Sequence, residues 1–152
     1  MAYLVIILVA FFSKGFFNSK LCRGEYGFFK TYFLYGGIGA FAIYFGVMLV
    51  FGYSALKNDE GTGHYALLST ARLALFCLAI YLTGIGMAVY RIKSRSEFSP
   101  LMNLYVVIIL IAFALLIPSA LIMAPVYFAV YAAAIFALYK LRWNSIFMEK
   151  LI

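Results

Sequence analysis

Long apolar runs separated by small clusters of basic residues constrain this chain more than any other feature. Lys14, Lys20, Arg23 and Lys30 form the first cluster, Arg91, Lys93 and Arg95 the second, and Lys140, Arg142 and Lys150 the third. Ten of the 12 basic residues fall there, with Glu25, Glu97 and Glu149 among them. Charge confined to the ends of hydrophobic runs is the pattern of a polytopic membrane protein that follows the positive-inside rule. Read this way, all three clusters face the cytoplasm.

Composition excludes the soluble alternative. Of 152 residues, 67% are hydrophobic and 11% are charged, with a mean hydropathy of +1.04. Soluble domains carry about 25% charged residues. A domain of about 150 residues hides only about 70% of the surface of its unfolded chain, so too much apolar area would meet water. The sequence therefore predicts an all-α integral membrane protein, a single membrane domain over residues 1–152. The runs are continuous and lack the period-two alternation of barrel strands.

The expected spans are 31–53, 66–90, 101–117 and 120–139, a four-helix transmembrane bundle. A short membrane-embedded helix over 2–17 precedes them, either spanning or lying partly in the interface. It has no basic residue before its apolar stretch and no clear cleavage site, so it reads as retained rather than as a signal peptide. Residues 54–64, with Asp59 and Glu60 against Lys57, read as an external turn. Residues 101–139 would make one helix of about 58 Å, nearly twice a hydrocarbon core of about 30 Å. Pro118 and Pro125 are the candidate breakers, and Pro118–Ser119 is the expected turn. The C-terminus then falls on the cytoplasmic side, in a bacterial inner membrane.

Few residues carry chemistry. Arg72 is the one cation that could enter the hydrocarbon, where it would contact an anionic group. The alternative is that it snorkels outward and marks the helix end. No Asp or Glu lies in any expected span, which weighs against ion-coupled transport. His64 is the only histidine and reads as a loop residue. Cys22 and Cys77 form no metal-type cluster and sit in different regions. No nucleophile motif, phosphate-binding loop or carboxylate pair occurs. The sequence thus predicts no enzyme, no cofactor and no metal. A net charge of +7 is explained by topology and anionic lipid, so nucleic acid is not an expected partner.

Small residues repeat at helical spacing: Gly36 and Ala40, Ala42 and Gly46, and Ala129, Ala133 and Ala137. Such faces let helix backbones approach one another. They serve either packing within the bundle or contact with another chain. Gly84 and Gly86 suggest a further close approach. Tyrosines inside the spans, such as Tyr44, Tyr81 and Tyr131, need acceptors for their hydroxyls. Backbone carbonyls or one another could serve, and a polar, tyrosine-lined cavity is a further alternative.

The segments FFKTYFLYGGIGAF (28–41) and YKLRWNSIF (139–147) resemble the GtrA family of small membrane proteins linked to lipid-linked sugar translocation. VYRIKSRSEF (89–98) lacks the Asn and Trp of that family, and the first thirty residues have no counterpart in it. The general character is also similar to bacterial immunity and exclusion proteins, by composition. Two functions follow as expectations. The first is a non-enzymatic inner-membrane protein that contacts another integral membrane protein, or its own copies, as accessory subunit, immunity or exclusion factor. The second is a small transporter or lipid-linked translocase that uses Arg72.

Overall fold

The computed structural model describes residues 2–53, 57 and 63–149, with side chains placed for all of these but 63, 64, 66 and 141–149. Asp59, Glu60 and the His64 side chain of the expected external turn lie outside the described residues, as do Lys150 and the side chains of Arg142 and Trp143. The described chain is all-helical, with no strand. We number five helices: α1 (Ala2–Phe17), α2 (Lys30–Gly52), α3 (Gly63–Arg95), α4 (Pro100–Met123) and α5 (Pro125–Glu149). Three are long and apolar enough to cross a membrane, namely α2, α3 from Leu67 onward, and α4. Ala2–Phe17 and Pro125–Lys140 are apolar but shorter.

Local chemistry explains most of the boundaries. The Ser99 hydroxyl accepts from the Met102 amide at 3.4 Å, and Pro100 occupies the first turn of α4, where its missing N–H costs nothing. Lys93 and Arg95 close α3, where a cation suits the carbonyl end of the helix dipole. Between α1 and α2 the chain turns at Gly24, whose φ of 71° is left-handed. A Cβ there would also stand 3.0 Å from the Ala88 carbonyl oxygen, so glycine is required twice over.

The break in residues 101–139 is not where the sequence suggests. Helix α4 runs straight through Pro118, and the interruption is Ala124, at φ −138° and ψ 52°. A residue before proline is pushed out of the helical region by the proline ring. Ala124 precedes Pro125, and Pro125 then opens α5 at a favoured first-turn position. Pro118 removes one backbone donor, which leaves the Ala114 carbonyl without its helical partner, while the neighbouring Ser119 hydroxyl donates to the next carbonyl, that of Leu115, at 2.9 Å.

Helix α3 is the central post. Half of its apolar window is buried (50%), against 17% for α4 and 6% for α2, and every other helix touches it. Two apolar cores lie along it. One joins Ile85, Val89 and Ile92 of α3 to Val106 and Ile109 of α4 and to Phe28 just before α2. The other joins Leu73 and Phe76 of α3 to Ile6 of α1, with Tyr127, Phe128 and Tyr131 of α5 packed around it. The N-terminal helix is therefore an integral part of the bundle, held between α3 and α5. Its exposed Leu4, Ile7 and Phe11, with Phe33, Ile38 and Phe41 of α2 and Ile108, Ile111 and Leu115 of α4, make the outer surface broadly apolar. A water-soluble monomer does not carry contiguous apolar patches on that scale.

Candidate functional site

The basic clusters meet first. Arg91 Nη1 donates to the Cys22 carbonyl at 2.8 Å, and Arg95 Nη1 reaches the Arg23 carbonyl at 3.4 Å. Phe28 and Phe98 contact edge to face, with ring centroids 5.8 Å apart. The first and second clusters thus share one end of the bundle. Cys22 is fully buried there, its Sγ 2.9 Å from where a Gly84 Cβ would stand. Burial pushes its thiol pKa up, and the Ser19 hydroxyl and the Arg91 guanidinium only partly offset this.

Arg72 lies towards the opposite end. Its side chain is exposed, while Leu73 beside it is buried. Nearby, the Ser69 and Tyr127 hydroxyls share a hydrogen bond of 3.2 Å, and the Tyr3 and Tyr127 rings meet edge to face at 6.2 Å. The start of α1, the Ala124 break and the upper part of α3 therefore lie at one level.

The small residues divide into three groups. Gly36 is buried against Ile85, whose Cγ2 would lie 3.4 Å from an added Cβ, and Ala40 is half-buried beside it. These two belong to packing within the bundle. Ala129, Ala133 and Ala137 are all exposed on α5, so the bundle leaves their stripe uncovered. Ala42 and Gly46 face a cleft.

That cleft is an open groove between α1 and α2, with α3 as its floor, and offers about 500 Å³. From α1 it takes Val5, Leu8, Val9, Phe12, Ser13 and Phe16, a helical stripe at spacings of three and four. Ala42, Ile43, Gly46 and Val47 form the opposite wall, and Cys77, Ile80 and Tyr81 the floor. The two hydroxyls on its lining are already engaged. Ser13 donates to the Ala10 carbonyl at 2.7 Å, and Tyr81 to the Tyr35 carbonyl at 2.7 Å. The cleft is thus an apolar slot rather than a polar, tyrosine-lined cavity. For Tyr81 the acceptor is a backbone carbonyl, one of the expected solutions.

Gly39 carries no signal in the sequence. It sits against the Tyr81 hydroxyl, where any Cβ would collide. No spacing pattern marks it, since its partner is 42 residues away in the chain. Among the described residues no group of His, Cys, Asp and Glu could hold a metal ion.

Comparisons with protein families, characterised proteins and solved structures find no match to this chain. The resemblance to the GtrA family therefore rests on its two short segments alone.

Proposed function

We propose that this chain is an integral protein of the bacterial inner membrane that acts, without catalysis, by binding another integral membrane protein through the faces of its helices. The observation that carries this reading is the exposed stripe of Ala129, Ala133 and Ala137 on α5. Lipid offers no hydrophobic drive for helices to associate, so small residues that admit a neighbouring backbone are what favours contact. Within the bundle that role goes to Gly36, which Ile85 covers. The α5 stripe is left for another chain, whether accessory-complex partner, immunity or exclusion target, or a second copy. The basic residues gathered at one end suit a cytoplasmic side.

Affinity recovery of the tagged chain from native membranes in mild detergent, read by mass spectrometry, tests this. A stoichiometric membrane protein is expected with the natural sequence and is lost with Ala133→Leu, while insertion and yield stay unchanged. Recovery of the chain alone, or equal partner recovery by the Ala133→Leu variant, overturns the reading.

A further inference from the structure

We infer that the turn between α1 and α2, where Arg23, Arg91 and Arg95 meet, is a binding site for one phosphate group, carried by a lipid headgroup or by a free phosphate ester. The inference concerns this end of the bundle and does not rest on the α5 stripe.

The site is built from the backbone outward. Arg91 and Arg95 stand four residues apart near the end of α3 and so share one face of that helix. The turn over 18–25 packs against this face. At Gly24 an added Cβ would meet the Ala88 carbonyl oxygen at 3.0 Å and the Arg91 Cβ at 3.4 Å. Amides of the turn are used internally: Arg23 N donates to the Ser19 carbonyl and Gly24 N to that of Leu21, both at 3.0 Å. Two successive carbonyls of the turn are taken by arginines, Cys22 by Arg91 and Arg23 by Arg95. Arg23 itself donates from Nε to the Asn18 carbonyl at 2.9 Å. Three guanidiniums are thereby held on one short turn.

The positive-inside rule accounts for basic residues at this end, but not for their fixation on adjacent carbonyls. A carbonyl positions a guanidinium without neutralising it. Among the described residues the only ion pair joins Arg23 Nη1 to Glu25 at 3.6 Å, with the two side chains 58% and 40% exposed, and such a pair holds weakly. Lys20, exposed on the same turn, adds to the excess of positive charge. A guanidinium carries several N–H donors in a planar fork. The contacts above engage one donor on Arg91, one on Arg95 and two on Arg23, which leaves the others for an outside acceptor. One carboxylate serves a single fork, whereas a phosphate presents oxygens to more than one. Arginines already held in place also lose less freedom when the anion arrives.

The test uses the full chain, purified in detergent and stripped of lipid. Phosphatidylglycerol and phosphatidylcholine are offered in mixed micelles and counted by native mass spectrometry, and glycerol phosphate is titrated by calorimetry. One phosphatidylglycerol per chain, held in preference to phosphatidylcholine, identifies a lipid headgroup; saturable glycerol phosphate binding without a lipid preference identifies a free ester. With either source, Arg23→Gln and Arg95→Gln weaken binding at least about tenfold, the scale of one hydrogen bond to a charged group, and Glu25→Gln strengthens it. Lys93→Gln removes the same charge from the same helix end, but two residues from each arginine and so on another face, and changes binding far less. Equal losses from Arg95→Gln and Lys93→Gln overturn the site in favour of diffuse attraction, and so does the absence of saturable binding by either probe. A natural rate of Cys22 alkylation certifies the fold of Arg95→Gln. Should that variant misfold, Arg95→Lys keeps the charge and loses the fork, and affinity equal to that of the natural chain overturns the site.

Discussion

The Tyr81 hydroxyl donates to the Tyr35 carbonyl at 2.7 Å, through space that only Gly39 leaves free. The same Tyr81 ring stacks on Phe16. One side chain on α3 therefore fixes α2 by a hydrogen bond and α1 by a ring contact. In an apolar setting an unsatisfied hydroxyl is costly, so the tyrosine also selects the helix register that brings a carbonyl to it.

Gly39→Ala is expected to lower stability by about 1–3 kcal/mol through overpacking. Tyr81→Phe alone should cost about 0.6 kcal/mol, a typical value for one hydrogen bond between membrane helices. The double variant should be more stable than the sum of the two losses implies, because removing the hydroxyl relieves the clash. Denaturant titration in detergent measures all three, and strict additivity would show that the residues do not share space.

Cys22 should resist alkylation. In a Cys77→Ala background, maleimide at neutral pH is expected to label the folded chain far more slowly than the unfolded chain. The Cys22 thiol pKa is raised on folding. Its contribution to stability is thus fully present below the ordinary thiol value of about 8.5, and is lost as pH rises through the raised folded value. Unfolding midpoints that fall with alkaline pH in this background, and less so in Cys22→Ala, would bear this out.

Arg91→Gln should free the segment that carries Cys22. The Arg91 bond to the Cys22 carbonyl is short and half-buried, so its loss is set at about 1.5–2 kcal/mol, the lower part of the range for charged hydrogen bonds. Cys22 labelling should accelerate in this variant. Arg95→Gln, whose contact is longer and exposed, should leave the labelling rate close to that of the natural chain.

The two prolines should separate cleanly. Pro118→Ala restores a backbone donor inside a helix that already continues, and the change in stability is expected to stay within about 1 kcal/mol. Pro125→Ala removes the steric push that keeps Ala124 out of the helical region. Cysteine-scanning accessibility across 121–126 should then change for Pro125→Ala and not for Pro118→Ala. Equal patterns would assign the break to another cause.

The helical class and the long apolar segments were legible because hydropathy and charge are local signals. The runs between basic clusters became α2, α3 and α4, each long and apolar enough to cross a membrane. The turn in 101–139 was legible in existence and misread in position. Either proline could break a helix, and only the preceding residue's conformation shows that Pro125 does. The fate of the small residues was not legible. Gly36 and Ala42 look alike in the chain, yet one meets Ile85 and the other a cleft, because facing depends on neighbours distant in sequence. Gly39 and the burial of Cys22 were hidden for the same reason.

Among the described residues, helices α1 and α2 do not pack on each other; α2 packs on α3, and α1 on α3 and α5. During synthesis both emerge before the elements that hold them. Until residues 63–95 follow, the two early helices have no common neighbour, and α1 is fully seated only once α5 has also been made.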